Sequence, residues 1–95
     1  HPSLLPAFPG AMAYMQAFEK GVKISGATSH FVTVDLDQGP IITQEAFTLD
    51  TTKSLEEIKK SGRDCENKAL IRAVTLFTNN KLECRWGKVI INKKN

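Results

Sequence analysis

From Ser54 onward the apolar residues recur at steps of three and four. Leu55, Ile58, Gly62, Cys65, Ala69, Ala73 and Phe77 form one line, widened by Leu70, Val74 and Leu76. This spacing predicts a helix of about twenty-five residues with one buried face. Ser54-Leu55-Glu56-Glu57 supplies a capping box at its start, and Asn79-Asn80 ends it. Gly62 lies on the stripe, where it costs about 1 kcal/mol relative to Ala, so its place there predicts close packing against a strand. Earlier in the chain, Ala27 to Val34 alternates with period two, with His30, Val32 and Val34 on one face. Asp35 to Pro40 breaks that strand, and Gly39 is read as supplying backbone angles closed to other residues. Ile41 to Leu49, rich in β-branched and aromatic residues, resumes as its antiparallel neighbour across a short loop. Ala11 to Lys20 predicts a short helix with Ala11, Met15 and Phe18 on its stripe and Gly21 as its stop, and Tyr14 is offset toward a groove edge. Three prolines in the first nine residues make His1 to Gly10 a rigid loop. Leu82 to Trp86 and Val89 to Ile91 flank Gly87-Lys88, which predicts a closing hairpin with Gly first in its turn.

Composition narrows the class. At 95 residues the chain allows one small domain, burying about 60–65% of its unfolded surface. Its 41% apolar and 24% charged residues are those of a soluble globular protein. No apolar run approaches the roughly 18 residues of a membrane span, and the start lacks the basic-then-apolar pattern of a secretory leader. The net charge of +3 owes much to Lys88, Lys93 and Lys94 in the tail. With no aromatic residues interleaved, these read as solvating charges rather than a nucleic-acid surface. Cys65 and Cys84 are too far apart for a metal or redox motif, so two reduced thiols in a cytoplasmic protein are expected, with Cys65 in the core.

Chemistry concentrates in two loops. A terminal His taken alone is more often solvated than catalytic, and Asp35 and Asp37 are ordinary turn residues. The context of each is more specific. His1-Pro2-Ser3-Leu4-Leu5-Pro6, followed by an aromatic residue, Pro9 and Gly10, resembles a signature of the formyltetrahydrofolate-dependent formyltransferases and hydrolases. Asp37-Gln38-Gly39-Pro40-Ile41 resembles that family's second signature. The resemblance implies that His1 is the catalytic acid–base and that Asp37, not Asp35, orients it and the reacting water. It places His30 beside the site in a supporting role, and Thr33, Val34, Asp35, Leu36 and Gly39 along the pterin pocket. In the family an Asn stands two positions before this His, and its amide would serve as oxyanion donor.

Gly62-Arg63-Asp64-Cys65-Glu66, Arg72-Ala73 and Trp86-Gly87-Lys88-Val89-Ile90-Ile91 look like the C-terminal end of formyltetrahydrofolate deformylases. The fold then expected is α/β, the C-terminal half of a Rossmann-like formyltransferase, locally two helices with about four mostly antiparallel strands. The function expected is hydrolysis of 10-formyltetrahydrofolate to tetrahydrofolate and formate as part of a longer enzyme. A glycinamide ribonucleotide formyltransferase and an inactive self-associating fragment are the alternatives. The folate is the substrate, and no cofactor, metal, nucleic acid or membrane partner is expected. Strand edges and apolar faces that a missing half would cover predict a homo-oligomer.

Overall fold

The capping box of Ser54 forms as the sequence predicts: its side chain accepts from the Glu57 N–H, and the Glu57 carboxylate reaches back to the Ser54 N–H. It opens α2 (Leu55–Thr78), the longest element of a computed structural model that describes residues 1–93; Lys94, grouped with the basic tail, lies outside the described residues. Before it come α1 (Ala13–Lys20), β1 (Ile24–His30) and β2 (Ile41–Thr48), and after it β3 (Leu82–Arg85) and β4 (Lys88–Ile91). The strands form two antiparallel pairs, β1–β2 and β3–β4, so the expected two helices and four antiparallel strands of an α/β fold are present.

The buried line of α2 is its small residues. Gly62, Cys65, Ala69 and Ala73 are buried with Ile58, while Leu70, Val74 and Phe77 remain more than half exposed. Small side chains let the helix lie close on the β1–β2 pair, where Ala27 meets Cys65 and Ala69. Burial also pushes the Cys65 thiol above its usual range, as a core role requires. The close approach at Gly62 is to a helix, not the strand expected. A methyl group there would overlap the Tyr14 ring from α1. Tyr14 is accordingly buried instead of edging a groove, and its hydroxyl donates to Glu66 Oε2 at 3.0 Å.

α1 starts two residues late because Met12 adopts a left-handed conformation (φ 58°). Its buried face is Ala13, Tyr14 and Ala17, in place of the expected Ala11, Met15 and Phe18. Ala17, Leu49 and Ile58 form a second core cluster, against which Phe8, Phe18, Val22 and Phe47 pack.

β1 begins three residues before the predicted Ala27 and ends four before Val34. Its first half shows no alternation because both faces are covered, by α2 on one side and by the His1–Gly10 loop on the other; a methyl group at Gly26 would collide with Leu4 of that loop. It ends where Phe31 donates to the Pro40 carbonyl, since proline has no N–H to return the bond. Val32 and Val34, expected on a strand face, are 91% and 102% exposed in the loop beyond. The pairing slips between Ser29 and His30, leaving Ile42 as an extra residue on β2, a bulge of the kind that re-aims a neighbouring side chain.

The closing hairpin turns through Trp86 and Gly87, not Gly87-Lys88, since Arg85 pairs with Lys88. Both turn residues have positive φ (53° and 71°), which matches the strand twist of a tight hairpin.

Candidate functional site

The His1–Gly10 loop is fixed to β1 through one hydroxyl. Thr28 Oγ1 donates to the Ser3 carbonyl (2.7 Å) and accepts from the Leu5 N–H (3.0 Å) and the Gln44 amide (3.1 Å). Gln44 also donates to the Leu5 carbonyl, so the loop is held from both strands of the sheet. Thr28 is 1% exposed, and every hydrogen-bonding position of its hydroxyl is filled. His1 pairs with the same residue through the backbone: its nitrogen donates to the Thr28 carbonyl (2.6 Å) and the Thr28 N–H returns to its carbonyl (2.9 Å). This exchange sets His1 on the edge of β1 that β2 does not occupy.

The second loop, residues 31–40, is pinched at its neck. Phe31 and Pro40 close it by a backbone bond, and Gly39 passes so near the Phe31 carbonyl that any Cβ would overlap it. Gly39 does not sit at positive φ, so close approach rather than unusual backbone angles explains this glycine. The left-handed residue is Asp37 itself (φ 55°), one of the few types that tolerate that conformation. Its carboxylate is thereby turned inward, and Oδ2 accepts the Gly10 N–H at 2.7 Å.

The two loops meet at this carboxylate. Asp37 Oδ1 lies 3.3 Å from His1 Nδ1 and 3.8 Å from His30 Nε2, and all three side chains are largely buried. The second nitrogen of each ring faces a carbonyl: His1 Nε2 lies 3.0 Å from the Phe8 oxygen and His30 Nδ1 3.0 Å from the Phe31 oxygen. The two carbonyl contacts lie within hydrogen-bonding distance of the rings, whereas His30 Nε2 is farther from the carboxylate than a hydrogen bond allows.

The structure brings together His1, His30, Asp37 and Gly39 of the residues singled out from the sequence. It does not bring Thr33, Val34, Asp35 and Leu36 to them. These form the exposed tip of the 31–40 loop, where the Thr33 hydroxyl donates to the Asp35 carbonyl. Thr28, Gln44 and the backbone of Phe8 and Gly10 were not foreseen. A threonine on a strand and a glutamine on its partner carry no local signal of such a role.

Two hollows flank the site. A groove of about 530 Å³ runs between the edge of β1 and α2, with His1, His30 and Val32 on one wall and Leu70, Val74 and Phe77 on the other. Asp37 does not line it. Asp37 instead borders a second cleft of about 260 Å³, walled also by Leu5, Pro9, Gln38 and Ile41. Among the described residues no group of His, Cys, Asp or Glu side chains is placed to hold a metal ion, and no helix is long and apolar enough to cross a membrane.

Known proteins resemble the whole of this arrangement. The formyl transferase family profile matches residues 1–74. The chain is 44% identical over 91 residues to the formyltetrahydrofolate deformylase of Haemophilus influenzae, and 45% identical over 91 residues to that of Bacillus subtilis. Each match takes in 96% of this chain, but only 33% and 30% of those proteins. The chain therefore spans about a third of the length of the curated relatives it matches. Among solved structures, a formyltetrahydrofolate deformylase from Pseudomonas syringae superposes with a TM-score of 0.93 at 38% identity, over 96% of this chain and 30% of that one. A phosphoribosylglycinamide formyltransferase from Anaplasma phagocytophilum superposes with a TM-score of 0.94 at 36% identity, over 100% of this chain and 47% of that one. With its two loops, its sheet and its long helix all matched, the chain belongs to the formyl transferase family.

Proposed function

We propose that this chain carries the acid–base half of a formyltetrahydrofolate deformylase, which hydrolyses 10-formyltetrahydrofolate to tetrahydrofolate and formate. The observation that carries the reading is the His1–Asp37 contact, with the imidazole in the wall of a groove. The deformylase relatives at 44–45% identity support water as the acceptor. Because those relatives are about three times longer, the activity belongs to a protein of their length.

A formamide carbon is a poor electrophile, and its nitrogen departs only when protonated. The attacking water must therefore lose a proton while the leaving nitrogen gains one. His1 is the group that carries it. Nδ1 is held by Asp37, which fixes the plane of the ring and stabilises the imidazolium formed when water is deprotonated. The proton on Nε2, held by the Phe8 carbonyl, is the one available to the leaving nitrogen. Asp37 is in turn fixed by the Gly10 N–H and by the neck of its own loop. His30 Nε2, 3.8 Å from the same oxygen and so beyond hydrogen-bonding distance, neighbours the carboxylate as a supporting group. The tetrahedral oxyanion requires a donor as well. By family resemblance this is the amide of an Asn two positions before His1, contributed by the preceding part of a full-length enzyme.

The second reading is a phosphoribosylglycinamide formyltransferase, in which a substrate amine replaces water. The superposition on the Anaplasma phagocytophilum enzyme favours it. Formate release separates the two. A full-length enzyme carrying this segment should liberate formate from 10-formyltetrahydrofolate with no added amine, and strict dependence on glycinamide ribonucleotide would move the assignment to the transferase.

A further inference from the structure

In the reaction above, Nε2 of His1 alternates between two states. While the ring is neutral, its one proton sits on Nδ1, 3.3 Å from Asp37, and Nε2 carries a lone pair. Once water has been deprotonated, Nε2 carries a proton. The Phe8 carbonyl oxygen, 3.0 Å from Nε2, meets these two states differently. A carbonyl only accepts, so it opposes the lone pair and hydrogen-bonds the N–H. It thus favours the ring that has taken the proton over the ring that has yet to. A contact that strengthens as the reaction proceeds is one that speeds it.

Phe8 does not present that oxygen of its own accord. It is a bulky residue at positive φ (48°), a conformation that side chains of its size rarely adopt. Two contacts hold it there. Its ring packs against the cluster of Ala17, Leu49 and Ile58. From the other direction, the Ser3 hydroxyl donates at 2.5 Å to the carbonyl of Ala7, the residue joined to Phe8. Ser3 is itself fixed at both ends: its N–H donates to the His1 carbonyl (2.9 Å), and its carbonyl accepts from the Thr28 hydroxyl (2.7 Å). At 1% exposure its side chain is shut off from solvent. A closed circuit results, from His1 through Ser3, Ala7 and Phe8 back to the His1 ring.

Resting on the deformylase reading above, we propose that Ser3 is a positioning residue for proton transfer: its hydroxyl fixes the Ala7–Phe8 turn and so keeps the Phe8 carbonyl on His1 Nε2. As water attacks, its O–H bond breaks and an N–H bond forms at Nε2, hydrogen-bonded to the Phe8 oxygen. That N–H bond then breaks as a new one forms on the leaving nitrogen. The ring returns to the tautomer in which it began, and the formic acid produced ionises in solvent.

Ser3→Ala in a full-length enzyme carrying this segment tests the assignment. Its kcat should fall about tenfold, short of the ~10²–10⁴ lost when an acid–base group itself is disabled. The KM for folate should stay within about twofold, since the contact strengthens only as the reaction proceeds. NMR gives the direct readout, with isotope labels in the His ring nitrogens and the Phe carbonyl carbon, at a pH low enough to protonate the ring. Wild type should show a scalar coupling across the hydrogen bond from His1 Nε2 to the Phe8 carbonyl carbon, and Ser3→Ala should lose it. A fall in kcat with the coupling intact would mean that Ser3 only stabilises the loop, and would overturn the proposal. Unchanged kcat would overturn it too, whether or not KM rises. If Ser3→Ala does not fold, the wild-type coupling and Phe8→Gly decide. Glycine tolerates the positive φ but gives up the ring that pins the carbonyl, so kcat should again fall about tenfold. Absence of the coupling in wild type, or full kcat in Phe8→Gly, would overturn the proposal. A wild-type enzyme that releases formate only with ribonucleotide present would fail the deformylase reading instead, and the coupling, which involves no acceptor, is read in the same way.

Discussion

The Asp37 carboxylate stands 3.3 Å from the His1 imidazole although the two belong to different loops, each anchored to the same strand. Thr28 fixes the first loop through its hydroxyl and backbone, and β1 runs on from Thr28 into the neck of the second. The distance between the groups is therefore set by β1 together with the hydrogen bonds that tie the first loop to the sheet and Gly10 to Asp37.

Replacing Asp37 by Asn tests the pair directly. The amide is nearly isosteric, but it cannot stabilise an imidazolium. In a full-length enzyme carrying this segment, Asp37→Asn should keep folate binding and lose about 10²–10⁴ in turnover. Asp35→Asn, at the exposed loop tip, should be far milder. Steady-state kinetics on both variants decide the matter, and equal losses would mean the wrong carboxylate has been chosen.

Thr28→Val removes the hydroxyl and leaves the Leu5 N–H, the Ser3 carbonyl and one Gln44 contact without it. Unpaired buried groups of this kind cost about 1–3 kcal/mol each, partly relieved where Gln44 retains the Leu5 carbonyl. The expected result is a loss near the upper end of that range in denaturant unfolding. Turnover should fall further than stability alone accounts for, because His1 is no longer held. A variant as stable and as active as wild type would show that the loop is positioned by other means.

Tyr14 gives a pH signature. Burial, reinforced by the neighbouring Glu66 carboxylate, raises its phenol above the usual range. A raised native value means that the unfolded chain loses this proton first as pH climbs. The stabilisation is thus complete below about pH 10, the unfolded value, and is lost as pH rises from there toward the native one. Tyr14→Phe should be about 1 kcal/mol less stable at pH 7, the usual worth of a hydrogen bond. Its unfolding free energy should also fall less steeply than that of wild type above about pH 10. Parallel alkaline profiles would remove the Tyr14–Glu66 pair from the account.

Leu70, Ile71, Val74 and Phe77 are between 52% and 66% exposed along one stretch of α2. Contiguous apolar surface of this kind is a contact surface in most soluble proteins. The 95-residue chain alone should therefore sediment as dimers or larger species at low micromolar concentration and show no deformylase activity. Val74→Lys with Phe77→Glu should shift it toward monomer, and a stable, active monomer of the unmodified chain would contradict the expectation.

Where the sequence was legible, one local rule dominated. The period of α2 and its capping box act within a few residues, so both are visible in the chain. The β-branched run of β2 is visible for the same reason. β1 was misjudged because alternation signals a strand with one wet face, and this one is covered on both. The buried face of α1 was misplaced because Tyr14 packs on a bare Gly62, a preference that depends on another helix. The His1 and Asp37 pair was legible through family resemblance. The Thr28 hydroxyl was not, since its partners lie in other elements.

The pinched neck of the 31–40 loop holds its base independently of its exposed tip. Phe31, Gly39 and Pro40 hold the base of the loop, and Asp37 sits on the base side of its tip. Thr33 to Leu36 can therefore change in size and polarity while the carboxylate stays where it is. A descendant of this fold could rewrite the four tip residues without rebuilding the part of the loop that places the Asp37 carboxylate beside His1.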